Sequence, residues 1–349
     1  MNTKMKMHIT NIYGQSPKST AMISQNMVAS VAQELGFKEI GIYSYPIKTD
    51  TYQEMSKRID GMIASVSFGD LVVLQLPSWN GTEFDELLIK KLKSYKRIKL
   101  IVFMHDFIPL MFQNNAYLMA KHIELFNLAN AIILPNNAMA DKLISYGLKS
   151  KIIIQGMWDH LNNIDIIPKR FTKKFYFAGS PKRFPFVKNW TFSNQLEVFS
   201  DQPIDFDSEN NSNVIFSGWK NDFSLLNALT DGFGLVWSEN ISNQAEKEYS
   251  HLNLSYKLST YISAGIPVIA NRGISIEKII EDNRLGFVAS SLSEANEIID
   301  NFSANKYAEM IKNVENFAPL LRTGYFTKKA LIDSIGTAFM KKEAYRDYL

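Results

Sequence analysis

Short, nearly continuous apolar runs alternate along the chain with longer segments in which apolar residues recur every three to four positions. A run without polar alternation is the pattern of a strand buried on both faces. In the first half such runs predict strands at Lys6–Asn11, Ile40–Tyr43, Asp70–Leu76, Lys99–His105, Ala131–Leu134 and Lys151–Gln155. Between the first two, Ile23, Met27, Val31 and Leu35 are spaced four apart, which predicts a helix over Thr20–Leu35 stopped by Gly36. The second half restarts the pattern. Strands are predicted at Phe175–Ala178, Leu196–Phe199, Val214–Phe216, Gly234–Trp237, Pro267–Ala270 and Gly286–Ala289. Helices are predicted at Phe223–Leu229, Tyr256–Ala264, Ser275–Asp282, Leu292–Asn301 and Asn305–Asn316, with a last one over Thr327–Tyr345.

Strand–helix alternation builds right-handed parallel crossovers, so the chain reads as α/β with two doubly wound, Rossmann-like domains. The expected division is a first domain over 1–156, a linker over 157–172, a second domain over 173–318 and a C-terminal helix over 319–349. The linker reading rests on Asn162, Asn163, Pro168 and a mixed charge cluster. The C-terminal helix is expected either to pack back on the first domain or to form an oligomer interface. Domains of this type facing each other would set a cleft between the carboxyl ends of two sheets, where ligands bind. The loops that follow strands are therefore where chemistry is sought.

Composition narrows the function classes. The 349 residues are 46% apolar and 21% charged, enough for two cores without a metal or disulfide staple. Lys plus Arg is 38 against 35 for Asp plus Glu, so the net charge of +3 leaves no domain-wide nucleic-acid footprint. The absence of cysteine excludes disulfides, a thiol nucleophile and thiolate metal ligands. The N-terminus has no apolar signal region, and no run approaches the ~18 apolar residues of a membrane span. A cytoplasmic protein is the expectation. The histidines at 8, 105, 122, 160 and 251 show neither HxH nor HxxxH spacing, so no metal is expected. GxGxxG, P-loop and GxSxG motifs are all missing.

Four segments carry candidate chemistry. In Asn253–Asn271, Asn253 or Ser255 can cap a helix starting near Tyr256. Helix N-termini present unpaired N–H groups and partial positive charge, which suit a diphosphate. Lys257 in that first turn opposes the helix dipole, which makes sense over a bound anion and equally describes a solvated lysine on a core helix. In Phe175–Arg183 a strand ends at Gly179, where backbone approaches a ligand closely, and Lys182 and Arg183 follow. An ordinary basic turn has the same sequence. Trp219, past the strand Val214–Phe216, is placed either to stack on a flat base or to close a core. The first strand–helix loop offers Gly14 and Ser16, with Ser19 or Thr20 as helix cap. Finally, His105 and Asp106 follow a buried strand, where His105 could meet a hydroxyl and Asp106 could act as a base or orient an acceptor.

These segments together resemble a known family. SAGIPVIAN at 263–271 is similar to the stretch that closes the nucleotide-binding helix of retaining GT-B glycosyltransferases. GQSPKST at 14–20, FMHDFIPLMF at 103–112, FAGSPKRFPFVKNW at 177–190, GLVW at 234–237 and SYKLSTYISAGIPVIAN at 255–271 narrow the resemblance to one subfamily. It is the glucosyltransferase that adds the second sugar to serine-rich repeat adhesins. The resemblance implies a GT-B fold and a UDP site in the second domain. Arg183 would contact the nucleotide and Trp219 would lie beside uracil. Ser255, Tyr256, Lys257 and Leu258 would wrap the diphosphate at the helix start, Gly179 and Asn253 are counted with the donor site, and Ser16 would reach the donor from the first domain. It further implies UDP-glucose as donor substrate, O-linked N-acetylglucosamine of the adhesin as acceptor, retention of configuration, no metal and a homotetramer. One departure stands out. The two Glu residues that the wider superfamily carries before this stretch are replaced by Leu252 and Thr260, so ribose recognition differs here. The polar insertion at 240–250 is expected to be a mobile loop over the site. Competing expectations are a nucleotide-sugar epimerase of the same architecture, with Asp106 or Asp159 as base, and an idle subunit that chaperones a transferase.

Overall fold

Six successive buried residues, Leu71–Leu76, form the innermost strand of the first of two sheets. The structure is a computed structural model and describes residues 5–165, 167–238 and 244–340. The chain divides into two units, one taking residues up to Gly156 and from Phe326 onward, the other Met157–Tyr325.

The first unit holds strands β1 (Met7–Tyr13), β2 (Lys38–Tyr43), β3 (Leu71–Leu76), β4 (Lys99–Met104), β5 (Ala131–Leu134) and β6 (Lys151–Ile154). Its helices are α1 (Thr20–Glu34), α2 (Tyr52–Met62), α3 (Thr82–Ser94), α4 (Ile108–Met111), α5 (Met119–Phe126) and α6 (Asn137–Ser145). The strands pair in parallel in the order β2-β1-β3-β4-β5-β6. The order reverses between β1 and β3, which makes the carboxyl ends of those two strands the switch point. Ser19 caps α1, its hydroxyl accepting from the Met22 amide at 3.3 Å.

The second unit holds β7 (Arg170–Phe177), β8 (Gln195–Val198), β9 (Val214–Phe216), β10 (Asp231–Val236), β11 (Val268–Asn271) and β12 (Gly286–Ala289). Its helices are α7 (Asp222–Ala228), α8 (Gln244–Leu252), α9 (Tyr256–Ser263), α10 (Glu277–Asp282), α11 (Leu292–Asp300) and α12 (Ala304–Arg322). The parallel order is β12-β11-β10-β7-β8-β9, with the switch point between β7 and β10. An aromatic core built on Phe175, Phe177, Trp190, Phe233 and Tyr307 fills one face of this sheet. The ring pairs are edge-on or tilted, the arrangement that aromatic quadrupoles favour. A last helix, α13 (Tyr325–Phe339), rejoins the first unit. Lys151 Nζ donates to the Thr337 carbonyl at 2.9 Å and Lys328 pairs with Glu34 at 2.7 Å.

All twelve apolar runs overlap an observed strand. Four local expectations change. The supposed linker is packed: Trp158, Asp159 and His160 are buried, and Ser259 Oγ donates to the Trp158 carbonyl at 2.6 Å. β7 begins at Arg170 inside that segment, because Lys174 sits among Glu197 and Asp231 and its charge is tolerated there. α12 runs through Pro319 to Arg322, held by buried Ala318 and Leu321 and by the Arg322 guanidinium on the Ile164 and Ser263 carbonyls. Within the insertion, residues 244–252 are the helix α8 and not a loop, with Gln244 bonded to Glu248 one turn on and Tyr249 buried. Residues 240–243 of that insertion, and the expected helix beyond 340, lie outside the described residues. Among the described residues no helix is long and apolar enough to cross a membrane.

One buried carboxyl makes the first unit sensitive to pH. Asp85, in the first turn of α3, accepts hydrogen bonds from the amide and hydroxyl of Ser78, yet burial pushes its pKa up to about 7. A raised carboxyl pKa means that ionisation opposes folding. Stability is therefore highest below about pH 4, falls as pH rises toward about 7, and is level above that. Asp85→Asn keeps both acceptor bonds and removes the titration. Thermal melts should show the variant several degrees more stable than wild type near pH 8, with the two curves converging near pH 4. A wild-type slope that persists in the variant would assign it to another group.

Candidate functional site

The carboxyl end of β7 sets the floor of the site. The Ala178 amide donates to the Tyr261 hydroxyl at 2.8 Å, which ties the end of the strand to α9. Gly179 follows, and a Cβ there would lie 2.7 Å from the Phe177 ring and 3.3 Å from Lys257 Cε. The missing side chain is thus what lets the Lys257 stem pass over the strand end. The Lys257 ammonium lies 4.6 Å from the Phe184 ring centroid and 5.6 Å from that of Phe177. The Arg183 guanidinium is 5.4 Å from the same Phe184 centroid, and its Nε is 3.0 Å from Glu246 Oε2 of α8.

The two cations are not equivalent. Arg183 is exposed and has a carboxylate partner. Lys257 packs against rings and pairs with no carboxylate among the described residues. Burial, and after it the charge of Arg183, pushes the Lys257 pKa down to about 8. A strongly shifted cation beside a like charge at a sheet's switch point is the electrostatic profile of a ligand site.

α9 completes the floor. Ser255 is its N-cap by position, but its side chain makes no capping bond. Its carbonyl instead accepts from the Leu258 amide at 3.2 Å, and the positive end of the helix dipole lies beside Lys257. Leu258 is buried and its amide is bonded within the turn, so it shapes the helix start without offering a side chain. Asn253 shapes the turn between α8 and α9: its side-chain oxygen accepts from the Leu254 amide at 2.9 Å, and its carbonyl accepts from Ser275 Oγ at 3.0 Å. Tyr256 packs on the His160 ring at 5.3 Å, and burial pushes its phenol pKa up. Trp219 stands 42% exposed in the turn after β9. The second unit thus gathers Gly179, Arg183, Asn253, Ser255, Tyr256, Lys257 and Leu258 around the start of α9.

Ser16, His105 and Asp106 belong to the first unit. Ser16 is exposed in the β1–α1 loop, where its hydroxyl accepts from the Lys18 amide at 3.2 Å. His105 occupies a different place from the one its sequence position suggests. It is 2% exposed, its Nε2 faces Gln75 Oε1 at 2.7 Å and its Nδ1 faces Ser24 Oγ at 3.2 Å. Gln75 in turn donates to the Gln25 carbonyl at 3.1 Å, and Gln25 donates to the Pro77 carbonyl at 2.8 Å. Burial pushes the His105 pKa down to about 3, so the ring is neutral at ordinary pH and acts as part of this framework. Asp106 is half-buried and lines a small, mostly apolar cavity that Thr82, Asp85 and His122 also border.

Sequence reasoning missed Phe177, Phe184, Glu246 and Tyr261. The interleaved aromatics and cations of FAGSPKRFPF at 177–186 were a signal for the first two. Glu246 lies in the insertion expected over the site, but its pairing with Arg183, 63 residues away, had no signal. Among the described residues no three His, Asp or Glu groups cluster as metal ligands.

Comparison with known proteins places this geometry in context. The chain matches the family description "Glucosyltransferase 3-like, N-terminal domain" over residues 6–157 and "Glucosyltransferase 3-like, C-terminal domain" over 175–334. It is 45% identical to "Glucosyltransferase 3" of Streptococcus gordonii, over 95% of this chain and 98% of that protein. It is 43% identical, with the same coverage, to "Glucosyltransferase 3" of Streptococcus parasanguinis. Among solved structures it superposes on Anabaena HepE in complex with UDP and glucose, with a TM-score of 0.63 at 12% identity, covering 96% of this chain and all of that one.

Proposed function

The chain belongs to the glucosyltransferase 3-like family, and from that premise we propose that it moves glucose from UDP-glucose to O-linked N-acetylglucosamine on a serine-rich repeat adhesin. Its fold, two six-stranded parallel sheets each wound on both faces, is of the GT-B class. The reaction proceeds without metal and with retention, and the enzyme acts in the cytoplasm as a homotetramer.

The observation that carries the reading is the pairing of Lys257 with the uncapped start of α9. As the bond between the glucose anomeric carbon and the diphosphate breaks, negative charge grows on the leaving oxygen. An ammonium fixed beforehand against the Phe177 and Phe184 rings, together with the positive end of the α9 dipole, stabilises that charge with little reorganisation. The apolar rings lower the local dielectric and strengthen the attraction. The acceptor hydroxyl forms the new bond to the anomeric carbon on the face the diphosphate leaves, and its proton passes to the departing phosphate oxygen. Such a step retains configuration without a protein nucleophile, and His105, neutral and engaged in its own framework, need carry no proton. Exposed Tyr325, Ile332 and Phe339, seven residues apart on α13, form an apolar stripe suited to helix packing between subunits.

The test follows UDP release from UDP-glucose with a synthetic adhesin peptide bearing N-acetylglucosamine, with and without EDTA. Turnover that depends on the sugar-bearing peptide and is unchanged by EDTA is expected, from a particle that light scattering sizes at four chains. Release that requires a divalent ion would overturn the metal-free mechanism. Release on the unmodified peptide alone would overturn the acceptor.

A further inference from the structure

His160 lies in the segment that reads as linker, and its side chain is fully buried. Its amide donates to the Leu321 carbonyl at 3.0 Å, which anchors it to α12. Its ring stacks on Tyr256, the first residue of α9, with 5.3 Å between centroids and 33° between planes. Its Nε2 is 3.1 Å from Asp222 Oδ1, a close contact outside hydrogen-bond geometry, and Nδ1 has no hydrogen-bond partner among the described residues. Asp222 is the first residue of α7, three positions after Trp219, and it is capped by Asn221. The charge of Asp222 also contributes to holding the Tyr256 phenol protonated, so the carboxylate lies within electrostatic reach of the start of α9.

We propose that His160 and Asp222 are positioning residues of the donor site, a pair that fixes the Trp219 turn against the first turn of α9. The inference rests on the reading that this end of the second unit takes a nucleoside diphosphate. Such a ligand has a flat base at one end and a diphosphate at the other, separated by a ribose of fixed length. An exposed tryptophan suits the base, and the start of α9 with Lys257 suits the diphosphate. The two features sit on different loops, and a ligand gains from both only if their spacing is held in advance. The imidazole, stacked on Tyr256 and 3.1 Å from the Asp222 carboxylate, bridges those loops and holds it. An apolar side chain of similar size would fill the same space without fixing a register.

Calorimetric titration with two probes, UDP and inorganic pyrophosphate, tests the pair. Asp222 is partly exposed, so Asp222→Ala folds. It is expected to weaken UDP about tenfold and to leave pyrophosphate unchanged. Asp222→Asn, which keeps an acceptor for His160, should restore most of the UDP affinity. His160→Phe, which keeps the ring on Tyr256 but loses the link, should behave as Asp222→Ala does. Adding Asp222→Ala to Trp219→Ala should cost nothing more, since the link has then nothing to position. In turnover assays the loss should appear in KM for UDP-glucose, with kcat little changed. If Asp222→Ala binds UDP as wild type while Trp219→Ala does not, the positioning role is overturned and the site stands. Equal loss of both probes in Asp222→Ala would also overturn it, as the mark of a general structural defect. If wild-type protein binds no UDP, the site reading itself fails.

Discussion

Lys257→Ala is expected to lower kcat/KM for UDP-glucose by about two to three orders of magnitude, the usual cost of removing one preoriented charge from a developing oxyanion. The loss should exceed that of Arg183→Ala, although both cations share the Phe184 ring. Arg183 is exposed and already neutralised by Glu246, so a ligand must compete for it. Lys257 sits among rings without a carboxylate, and its field is fully available. The pH dependence gives the signature. In the free protein the Lys257 pKa is near 8, lowered first by burial and then by Arg183. A bound diphosphate raises it, because an adjacent anion favours the charged form. Affinity for UDP should therefore be level below about pH 7.5 and fall as pH rises through about 8. Calorimetry across that range should show the decline in wild type and a weak, flat profile in Lys257→Ala. A variant that binds UDP within about twofold of wild type at neutral pH would remove Lys257 from the site.

The reason Lys257 could be singled out from sequence is local. A lysine in the first turn opposes the helix dipole, and the cap, the helix and the following Gly265–Pro267 turn all lie within one short stretch. The twelve strands were legible on similar grounds, because burial on both faces leaves runs such as LVVLQL at 71–76 with almost no polar residue. What escaped was set by distant partners. His105 reads as a loop-end histidine until Gln75 and Ser24 close on it from 30 and 81 residues away. The first residues of β7 look like loop because Arg170, Lys173 and Lys174 are charged; Glu197 and Asp231 explain why a strand accepts Lys174, and Asp300 pairs with Lys173. The stretch at 157–165 looked like a tether on the strength of its asparagines and mixed charges. Its Asn162 side chain instead donates to Ser263 Oγ and its Ile164 carbonyl accepts from the Arg322 guanidinium, so it is laced along α9 and α12. Composition records what a segment is made of, and these contacts depend on what it meets.

Gly234→Ala is expected to damage both stability and donor binding, although it adds only one methyl group. A Cβ at 234 would lie 2.3 Å from Cγ and Cδ2 of Tyr261 and 2.8 Å from its Cβ. The obstacle is the root of a side chain fully buried on α9, not a flexible tip, so the helix itself must shift. Overpacking of this kind costs about 1–3 kcal/mol, and the overlap here puts the cost at the upper end. In a unit of this size that corresponds to a fall of roughly 6–12 °C in Tm. The same shift should reach the site by a definite route. Tyr261 holds α9 on β10 through Gly234 and holds the end of β7 through its bond from the Ala178 amide. Moving it separates the start of α9 from Gly179, and with it Lys257 from the Phe177 and Phe184 rings. UDP affinity should fall by about tenfold or more at temperatures where the variant is still folded. A double-mutant cycle decides the mechanism. In a Tyr261→Ala background the overlap with the ring is gone and only the 2.8 Å approach to Cβ remains, so Gly234→Ala should then cost clearly less than in wild type. A cost that stays the same in both backgrounds would mean that the backbone of β10, and not the ring against it, requires the glycine.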